Sequence, residues 1–529
     1  SDWFESALPH ADIVLSDVAS KLVPSAVASG YSTRFLRNIA LGETVEQVNG
    51  TACTDAYAVC PGDPPAPPAP SPRYNYCVGT LCLITAPPSP PPPPNPPSPN
   101  TPPATETAGH LAIELDAHGC VLNYVAGVDY FPGERRALVG STAGVAYAEA
   151  TLAQDFTISY HKNYKVLTNL RNSKVYLLHQ CGTPAVYNDL PSSITVDSNG
   201  VPSVPVFTVP VQSWSTGGTI PISFVEEIDL LPSAEALDPQ YMTSSCAQKL
   251  VGCAAIRAVT PPWGSDFNGT GSSVHFTDDW NTGATNTAID VAFDASSDPG
   301  MLHRAEWLKF VSAFFNKEPE ANRVFEGIQE RYTATQNAAA AARLAGTAPA
   351  LRMAWIEETQ WNGGWTVSNH AYKIEATTAA GGLSPDAAAL GAICPLDSGG
   401  SRYVCPNNAV MKQALQMFDA VLDESYHSPG YAHYTFDEFK TRWNLTADDV
   451  ASGAYPFLVS NRIYRTDKRL SSDGAGSDWF ESALPHADIV LSDVASKLVP
   501  SAVASGYSTR FLRNIALGET VEQVNGTAC

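Results

Sequence analysis

Apolar positions from about residue 107 onward follow two different spacings. Four short apolar runs predict strands, at residues 111–115, 120–125, 174–178 and 204–209. The first two would pair around an Asp-Ala-His-Gly turn, and the last two are typical of buried, parallel strands. A helical spacing then begins at Phe224, Ile228 and Leu231. Strands followed by a helix in this order predict a Rossmann-like, layered lobe.

A long helical region is predicted next, at residues 301–346. Its apolar positions recur at the spacing of one helix face, at Trp307, Phe310, Val311, Phe314 and Phe315. Asp298-Pro299 suits the helix start, and Pro319 is expected to interrupt or kink the helix.

A second set of strands and helices follows the helical region. Residues 351–356 and 457–465 predict strands, and the repeated Ile489-Val-Leu predicts the last strand. Two helix faces are predicted from apolar spacing: Met411, Leu415, Phe418 and Leu422, and then Phe436, Phe439 and Trp443. The predicted fold is therefore α/β, with two Rossmann-like lobes joined by a long helix. The predicted first lobe spans residues 107–300 and the second spans residues 347–529.

The first 53 residues reappear unchanged as residues 477–529. Repeats that have diverged keep their hydrophobic pattern but differ in residue identity, whereas these two copies are identical at every position. One interpretation is a window cut from a tandem array with a 476-residue period, in which residues 1–53 close the preceding repeat. The alternative is a duplicated end with no array behind it.

Residues 54–106 form a proline-rich linker bracketed by cysteines. The tracts at residues 63–72 and 86–103 predict a polyproline II rod, and the second tract would span ~55 Å. The linker is either a plain spacer or a glycosylated stalk. Its Ser-Pro and Pro-Pro runs resemble the hydroxyproline-rich glycoproteins of green-algal and plant walls. That resemblance implies O-glycosylation at Pro64, Pro65, Pro67, Pro68, Pro87, Pro88, Pro90, Pro91, Pro92, Pro93, Pro94, Pro96, Pro97 and Pro99.

Composition narrows the classes of partner. The chain has 16% charged residues and a net charge of −22, counting the repeated stretch twice. An acidic chain without a basic block argues against nucleic acid and anionic membranes. The sequence contains no apolar run long enough to span a membrane.

The cysteines and sequons indicate an oxidising, secretory compartment. Close cysteine pairs beside Pro and Gly suggest loop-closing disulfides. The candidates are Cys53/Cys60, Cys77/Cys82, Cys246/Cys253 and Cys394/Cys405, together with Cys120 and Cys181. N-glycosylation sequons occur at Asn49, Asn268, Asn444 and Asn525. The protein is therefore expected to be secreted, with glycans covalently attached.

Several stretches resemble the class III substrate-binding proteins, whose two α/β lobes are joined by one long helix. Residues 303–318 match the place of the spanning helix, residues 350–383 the start of the second lobe, and residues 455–500 its closing elements. The resemblance implies a site for an iron chelate, a metal or a corrinoid. The tandem arrangement and the proline rods depart from that family.

A ligand site is predicted from aromatic and polar residues. Trp355, Trp361, Trp365 and His370 lie at or after the first strand of the second lobe, near the edge where open α/β sheets bind ligands. His275, Asp278 and Asp279 form a second patch. Buried packing and a solvated turn are the alternative interpretation. No histidine pair has ligand spacing, so neither a metal site nor a cofactor is predicted.

No nucleophile, phosphate-loop or zinc-protease motif is present, and Glu357-Glu358 would point to opposite faces of a strand. An enzyme is not expected. The leading hypothesis is a structural subunit of an extracellular glycoprotein fibre, whose repeats associate with one another head to tail. The alternative is a secreted solute-binding protein.

Overall fold

The computed structural model describes residues 113–131, 147–187, 190–259, 271–277, 288–359, 364–427, 430–524 and 526. The chain divides into two units, Ser1–Thr54 and Asp55–Cys529. The predictions for residues 1–53 and for the proline-rich linker lie outside the described residues. So do those for Cys53, Cys60, Cys77 and Cys82.

A four-stranded sheet forms the amino-terminal part of the described chain. Its strands are β1 (Phe156–Tyr160), β2 (Tyr164–Asn169), β3 (Lys174–Gln180) and β4 (Val206–Val209), paired in that order. Strands β3 and β4, predicted as parallel strands, run parallel and pair with each other, whereas β1 and β2, which pair antiparallel, were not predicted. The strand pair predicted around residue 116 is reduced to one antiparallel bridge between Leu115 and Val121. A Cys120–Cys181 disulfide ties this turn to the end of β3.

The first lobe is built on a parallel five-stranded sheet. Its strands, in the order β7-β6-β5-β8-β9, are β5 (Trp214–Thr216), β6 (Ala234–Leu237), β7 (Arg257–Ala258), β8 (Val274–Thr277) and β9 (Asp290–Ala292). Helices α1 (Ile220–Glu226) and α2 (Ser245–Gly252) connect β5, β6 and β7. Phe224 therefore lies in a helix as predicted, but Ile228 and Leu231 follow its end.

The predicted helix at residues 301–346 is three consecutive helices. They are α3 (Met301–Ala305), the fully buried α4 (Trp307–Phe315) and the 27-residue α5 (Glu318–Leu344). The break falls at Asn316, whose left-handed backbone ends α4. Pro319 does not kink a helix; it occupies the first turn of α5, where its missing N–H costs no hydrogen bond.

The second lobe is built on a mixed six-stranded sheet in the order β12-β11-β10-β13-β14-β16. The strands are β10 (Met353–Thr359), β11 (Gly364–Ser368), β12 (Arg402–Cys405), β13 (Ala420–Asp423), β14 (Ile463–Arg465) and β16 (Arg513–Asn514). A separate short parallel pair joins β15 (Arg469–Leu470) to β17 (Glu522–Gln523). Strands β10, β13 and β14 run parallel to one another.

Eight helices of the second lobe are described. They are α6 (Ala371–Ala379), α7 (Ala387–Gly391), α8 (Asn408–Leu415), α9 (Phe436–Arg442), α10 (Ala447–Ala451), α11 (Pro456–Val459), α12 (Asp478–Ser482) and α13 (Ala487–Leu498). Three predictions are wrong here, one of them in part. Leu422 belongs to strand β13 rather than to a helix face, and Ile489-Val-Leu lies in helix α13 rather than in a strand. Of the predicted strand at residues 457–465, only residues 463–465 form a strand, β14, because residues 457–459 lie in helix α11.

We call residues 477–524, the described part of the second copy, the closing segment. Its helix α13 packs with α5, α6 and the underside of β10 in one core, to which it contributes Val490, Leu491, Val494 and Leu498. Its strand β16 adds an antiparallel edge to β14. The second lobe is thus completed by residues that come last in the chain.

Candidate functional site

The carboxyl ends of strands from both lobes meet at a group of tyrosines and acids. The loop after β6 carries Asp238 and Tyr241, and the loop after β13 carries Tyr426 and Tyr431. Tyr241 lies close enough to Tyr426 and Asp473 for their charges to act on it. The Tyr426 and Tyr431 rings pack edge to face, with centroids 5.6 Å apart. We call Asp238, Tyr241, Tyr426, Tyr431 and Asp473 the tyrosine cleft.

Tyr241 holds a backbone conformation that a tyrosine rarely adopts. Its φ is +66°, in the left-handed region, which costs a residue with a Cβ roughly 1–2 kcal/mol. The turn is fixed by the Gln248 amide, which donates to the Met242 carbonyl at 2.7 Å. Strain of this kind persists where the surrounding structure imposes it, and it clusters at functional sites. The tyrosine side chain remains 38% exposed.

The two lobes approach closely beside Tyr241. Gly476 lies against it, because a Cβ added to Gly476 would stand 2.2 Å from the Tyr241 carbonyl oxygen. The loop that carries Gly476 also contacts Tyr431 of the tyrosine cleft, because the Tyr431 N–H donates to the Gly474 carbonyl at 3.1 Å. The loop at residues 471–476 therefore sits between contributions from the two lobes and sets their separation there.

The tyrosine cleft contains carboxyl groups and phenols but no basic side chain among its five members. Burial raises the pKa of Tyr241, and neighbouring Tyr426, Asp473 and Asp238 raise it further. Burial also raises the pKa of Tyr431 and of the Asp238 carboxyl. The Tyr241 and Tyr431 phenols therefore stay protonated at neutral pH. Tyr431 is buried, whereas the exposed part of Tyr241 offers an O–H donor and a ring face, which suit a neutral or cationic ligand with a flat surface.

A buried ion network lies beneath the second-lobe side of the tyrosine cleft. The Arg465 guanidinium donates to Asp423 at 2.8 Å and to Asp467 at 2.6 Å, and it stacks 3.4 Å from the Tyr434 ring centre. Arg513 of the closing segment donates to Asp467 at 2.6 Å. Burial lowers the pKa of Arg465, but Asp467 and Asp423 outweigh it, so the net shift is upward. The network fixes the ends of β13 and β14 and keeps every charge paired.

A second polar contact fastens the closing segment to the first lobe. The Glu481 carboxyl group accepts hydrogen bonds from the backbone N–H groups of Thr243 and Ser244, each at 2.7 Å. His486 pairs with Glu227 at 3.0 Å. Burial and neighbouring Asp478 raise the pKa of Glu481 to about 8. The closing segment therefore holds both lobes beside the tyrosine cleft.

The described members of the predicted ligand site do not lie together. Trp355 is buried and donates to the Thr377 hydroxyl at 3.0 Å, whereas Trp365 pairs opposite Glu358 and so lies on the other face of the sheet. His370 precedes helix α6, and burial and Lys373 lower its pKa to about 4. His275 is buried in the first lobe, 2.8 Å from the Ser215 hydroxyl. Trp361, Asp278 and Asp279 lie outside the described residues, and the binding role of the set stays a prediction.

The tyrosine cleft was not predicted from the sequence. The signal was weak: Tyr241 and Tyr426 follow strands β6 and β13 by only a few residues, at the edge where ligands bind in open sheets. Strand β6 itself, with only four residues, was not predicted. Without both strands, the two tyrosines could not be placed at one edge.

Disulfide and sequon predictions have mixed outcomes. The Cys394–Cys405 pair is confirmed. Cys246 and Cys253 are both disulfide-bonded, and their pairing with each other stays a prediction. Asn444 is exposed beside a polar groove of about 560 Å³ lined by Asn408, Gln413 and Tyr455, among others. Asn49, Asn268 and Asn525 lie outside the described residues.

The described residues contain no helix long and apolar enough to cross a membrane. They also contain no group of three or more His, Cys, Asp or Glu side chains arranged to hold a metal ion.

Comparisons with known proteins give weak similarities. No family model matches the chain. An uncharacterized lipoprotein of Methanocaldococcus jannaschii is 36% identical over 76 residues, which is 14% of this chain. The match spans only 16% of that lipoprotein's length.

Solved structures with a similar arrangement include three binding proteins. An ABC transporter substrate-binding protein from Listeria monocytogenes is 15% identical, with a TM-score of 0.38 over 55% of this chain and 99% of its own. A periplasmic heme binding protein from Pseudomonas aeruginosa is 11% identical, with a TM-score of 0.38 over 58% and 98%. Staphylococcus aureus SirA, complexed with staphyloferrin B, is 11% identical, with a TM-score of 0.39 over 55% and 94%. Similarity at this level supports no argument about function, and the two α/β lobes are defined by this chain's own strands and helices.

Proposed function

We propose that the protein is a secreted solute-binding protein that holds a small ligand in the tyrosine cleft, between its two lobes. The observation that supports this proposal is the strained Tyr241. Its left-handed backbone is imposed by the first lobe, and its side chain remains partly exposed beside Tyr426 of the second lobe. A single change to glycine would relieve the backbone strain at position 241. A tyrosine at this accessible position is therefore best explained by a function of its side chain.

The chemistry of the tyrosine cleft narrows the ligand class. Protonated phenols and two carboxylates favour a neutral or cationic molecule with flat, hydrogen-bonding surfaces. A corrinoid or a neutral iron chelate fits this description better than a polyanionic chelate, because Asp238 and Asp473 would repel the latter. The exposed Asn444 and the disulfides suit a secreted glycoprotein.

Replacing Tyr241 with glycine tests the proposal. We expect Tyr241→Gly to raise the free energy of unfolding by about 1 kcal/mol, because glycine tolerates positive φ. The same variant should lose at least tenfold in affinity for cyanocobalamin or a neutral ferric hydroxamate, measured by calorimetric titration. Asn461→Gly is the matched control, because Asn461 also has positive φ (+53°) but lies between α11 and β14. It should gain stability and leave ligand affinity unchanged.

The proposal fails if no saturable binding of a corrinoid or a neutral iron chelate is measured with the parent chain. It also fails if Tyr241→Gly binds as tightly as the parent.

A structural role in an extracellular fibre is the second candidate function. It is favoured by the identical copies at residues 1–53 and 477–529, since the second copy contains the closing segment that completes a folded lobe. Electron micrographs of native material should then show globules at a regular axial spacing. Isolated globules without axial order would remove this candidate.

A further inference from the structure

We propose that the groove filled by the closing segment in one copy of the chain also accepts residues 1–53 of a second copy. Copies would then join head to tail by exchanging identical segments. The inference concerns an interaction surface and is independent of the ligand proposed for the tyrosine cleft.

The groove is large and has both apolar and polar parts. Its apolar part lies among α5, α6 and β10, where Leu491, Val494 and Leu498 of the closing segment are fully or almost fully buried. Trp479 packs beside Trp355, with ring centres 5.6 Å apart. Because the groove removes a whole apolar helix face from water, hydrophobic burial supplies most of the attraction.

Polar contacts fix the register of the segment in the groove. Glu481 accepts the N–H groups of Thr243 and Ser244 in the first lobe, and Arg513 pairs with Asp467 in the second. The Asn514 amide donates to the Asn461 carbonyl at 2.7 Å. These contacts lie far apart along the segment, so only a chain with the same residues at the same spacing can make them all.

Residues 1–53 meet that requirement at every position. Glu5 corresponds to Glu481, Leu15 to Leu491, and Arg37 to Arg513, because the two stretches are identical letter for letter. Any contact that the closing segment makes in the groove is chemically open to residues 1–53. The fit follows from identity and needs no further complementarity.

Stoichiometry indicates a second copy as the partner. The described residues contain one groove, at residues 113–476, and the sequence contains two segments that fit it, at residues 1–53 and 477–529. The directly attached segment has the higher effective concentration and fills its own groove first. Residues 1–53 are then left to bind the groove of another copy.

Four variants of the full chain test the exchange. Leu491→Asp places a charge in the core and should expel the closing segment. We expect this variant to keep a cooperative thermal transition, because Leu15 of a second copy takes the vacated place. It should form dimers and larger species whose fraction rises with protein concentration, measured by size-exclusion chromatography with light scattering.

Matched controls separate exchange from other effects. Leu15→Asp alone should leave both the transition and the monomer fraction at low concentration unchanged, since the closing segment still fills the groove. Leu15→Asp combined with Leu491→Asp should lose the cooperative transition. Leu491→Ala, which leaves a cavity without a charge, should show the same concentration dependence with a smaller oligomer fraction, and it keeps the test open if Leu491→Asp expresses poorly.

Two outcomes would overturn the proposal. One is a Leu491→Asp variant that is as unfolded as the double variant at every concentration. The other is a Leu491→Asp variant that stays folded and monomeric throughout, because that result places the rescuing segment on the same chain. Neither outcome bears on ligand affinity, which is measured on the parent chain.

Discussion

Replacing Arg465 with methionine should lower the free energy of unfolding by about 3–5 kcal/mol. Methionine matches much of the arginine's length, so the loss comes from charge rather than from volume. Asp423 would remain fully buried without its cationic partner, and Asp467 would keep only Arg513. Denaturation in urea, followed by tryptophan fluorescence, measures the change.

Arg469→Met is the matched control for this prediction. Arg469 stands 3.8 Å from Asp478 and is partly exposed, so its loss should cost less than about 1 kcal/mol. Equal effects of the two substitutions would contradict the view that the buried network holds the ends of β13 and β14. A methionine variant as stable as the parent would contradict it as well.

The stability of the contact between the lobes should fall as pH rises from about 4.5 to 8. In the unfolded chain Glu481 loses its proton near pH 4.5, whereas in the folded chain it keeps the proton until about pH 8. Between these values the folded state binds more protons, so raising the pH favours unfolding. Burial also raises the pKa of Asp493 to about 6, which acts in the same direction. The loss attributable to Glu481 should be on the order of a few kcal/mol.

Glu481→Gln isolates this contribution. Glutamine cannot lose a proton, so the slope of unfolding free energy against pH should become shallower between pH 5 and 8. It offers one acceptor oxygen instead of two to the N–H groups of Thr243 and Ser244, which costs about 1 kcal/mol at every pH. Unfolding curves at several pH values distinguish this uniform offset from the change in slope. An unchanged slope would assign the pH dependence to other groups.

Much of the fold could be predicted where one periodicity dominates. Helix α4 followed from five apolar residues on one helical face, and β10 from a continuous apolar run. The strand predicted at Ile489-Val-Leu was wrong because three β-branched or bulky apolar residues suit a strand as well as a helix. Tertiary packing decided the outcome: Val490, Leu491, Val494 and Leu498 fall on one face that covers α5 and α6. The prediction for Leu422 was wrong because its spacing from Leu415 fits one helix face, whereas helix α8 ends at Leu415.

The candidate site was harder to predict than the fold. Trp355 and Trp365 are close in sequence, but the pairing of β10 with β11 places them on opposite faces of the sheet. Tyr241 and Tyr426 are far apart in sequence, and only the meeting of two lobes brings them together. The left-handed backbone of Tyr241 could not be predicted, because a tyrosine in a sequence does not indicate positive φ.

The late position of the closing segment has a consequence for biosynthesis. Until residues 477–524 have left the ribosome, the faces of α5, α6 and β10 that pack on α13 lack their own cover, and Asp467 lacks Arg513 of the same chain. The nascent second lobe therefore exposes this apolar surface to chaperones, or to residues 1–53 of another copy, while the preceding sheet and first lobe can already fold. The rate of translation through residues 477–524 sets how long that exposure lasts.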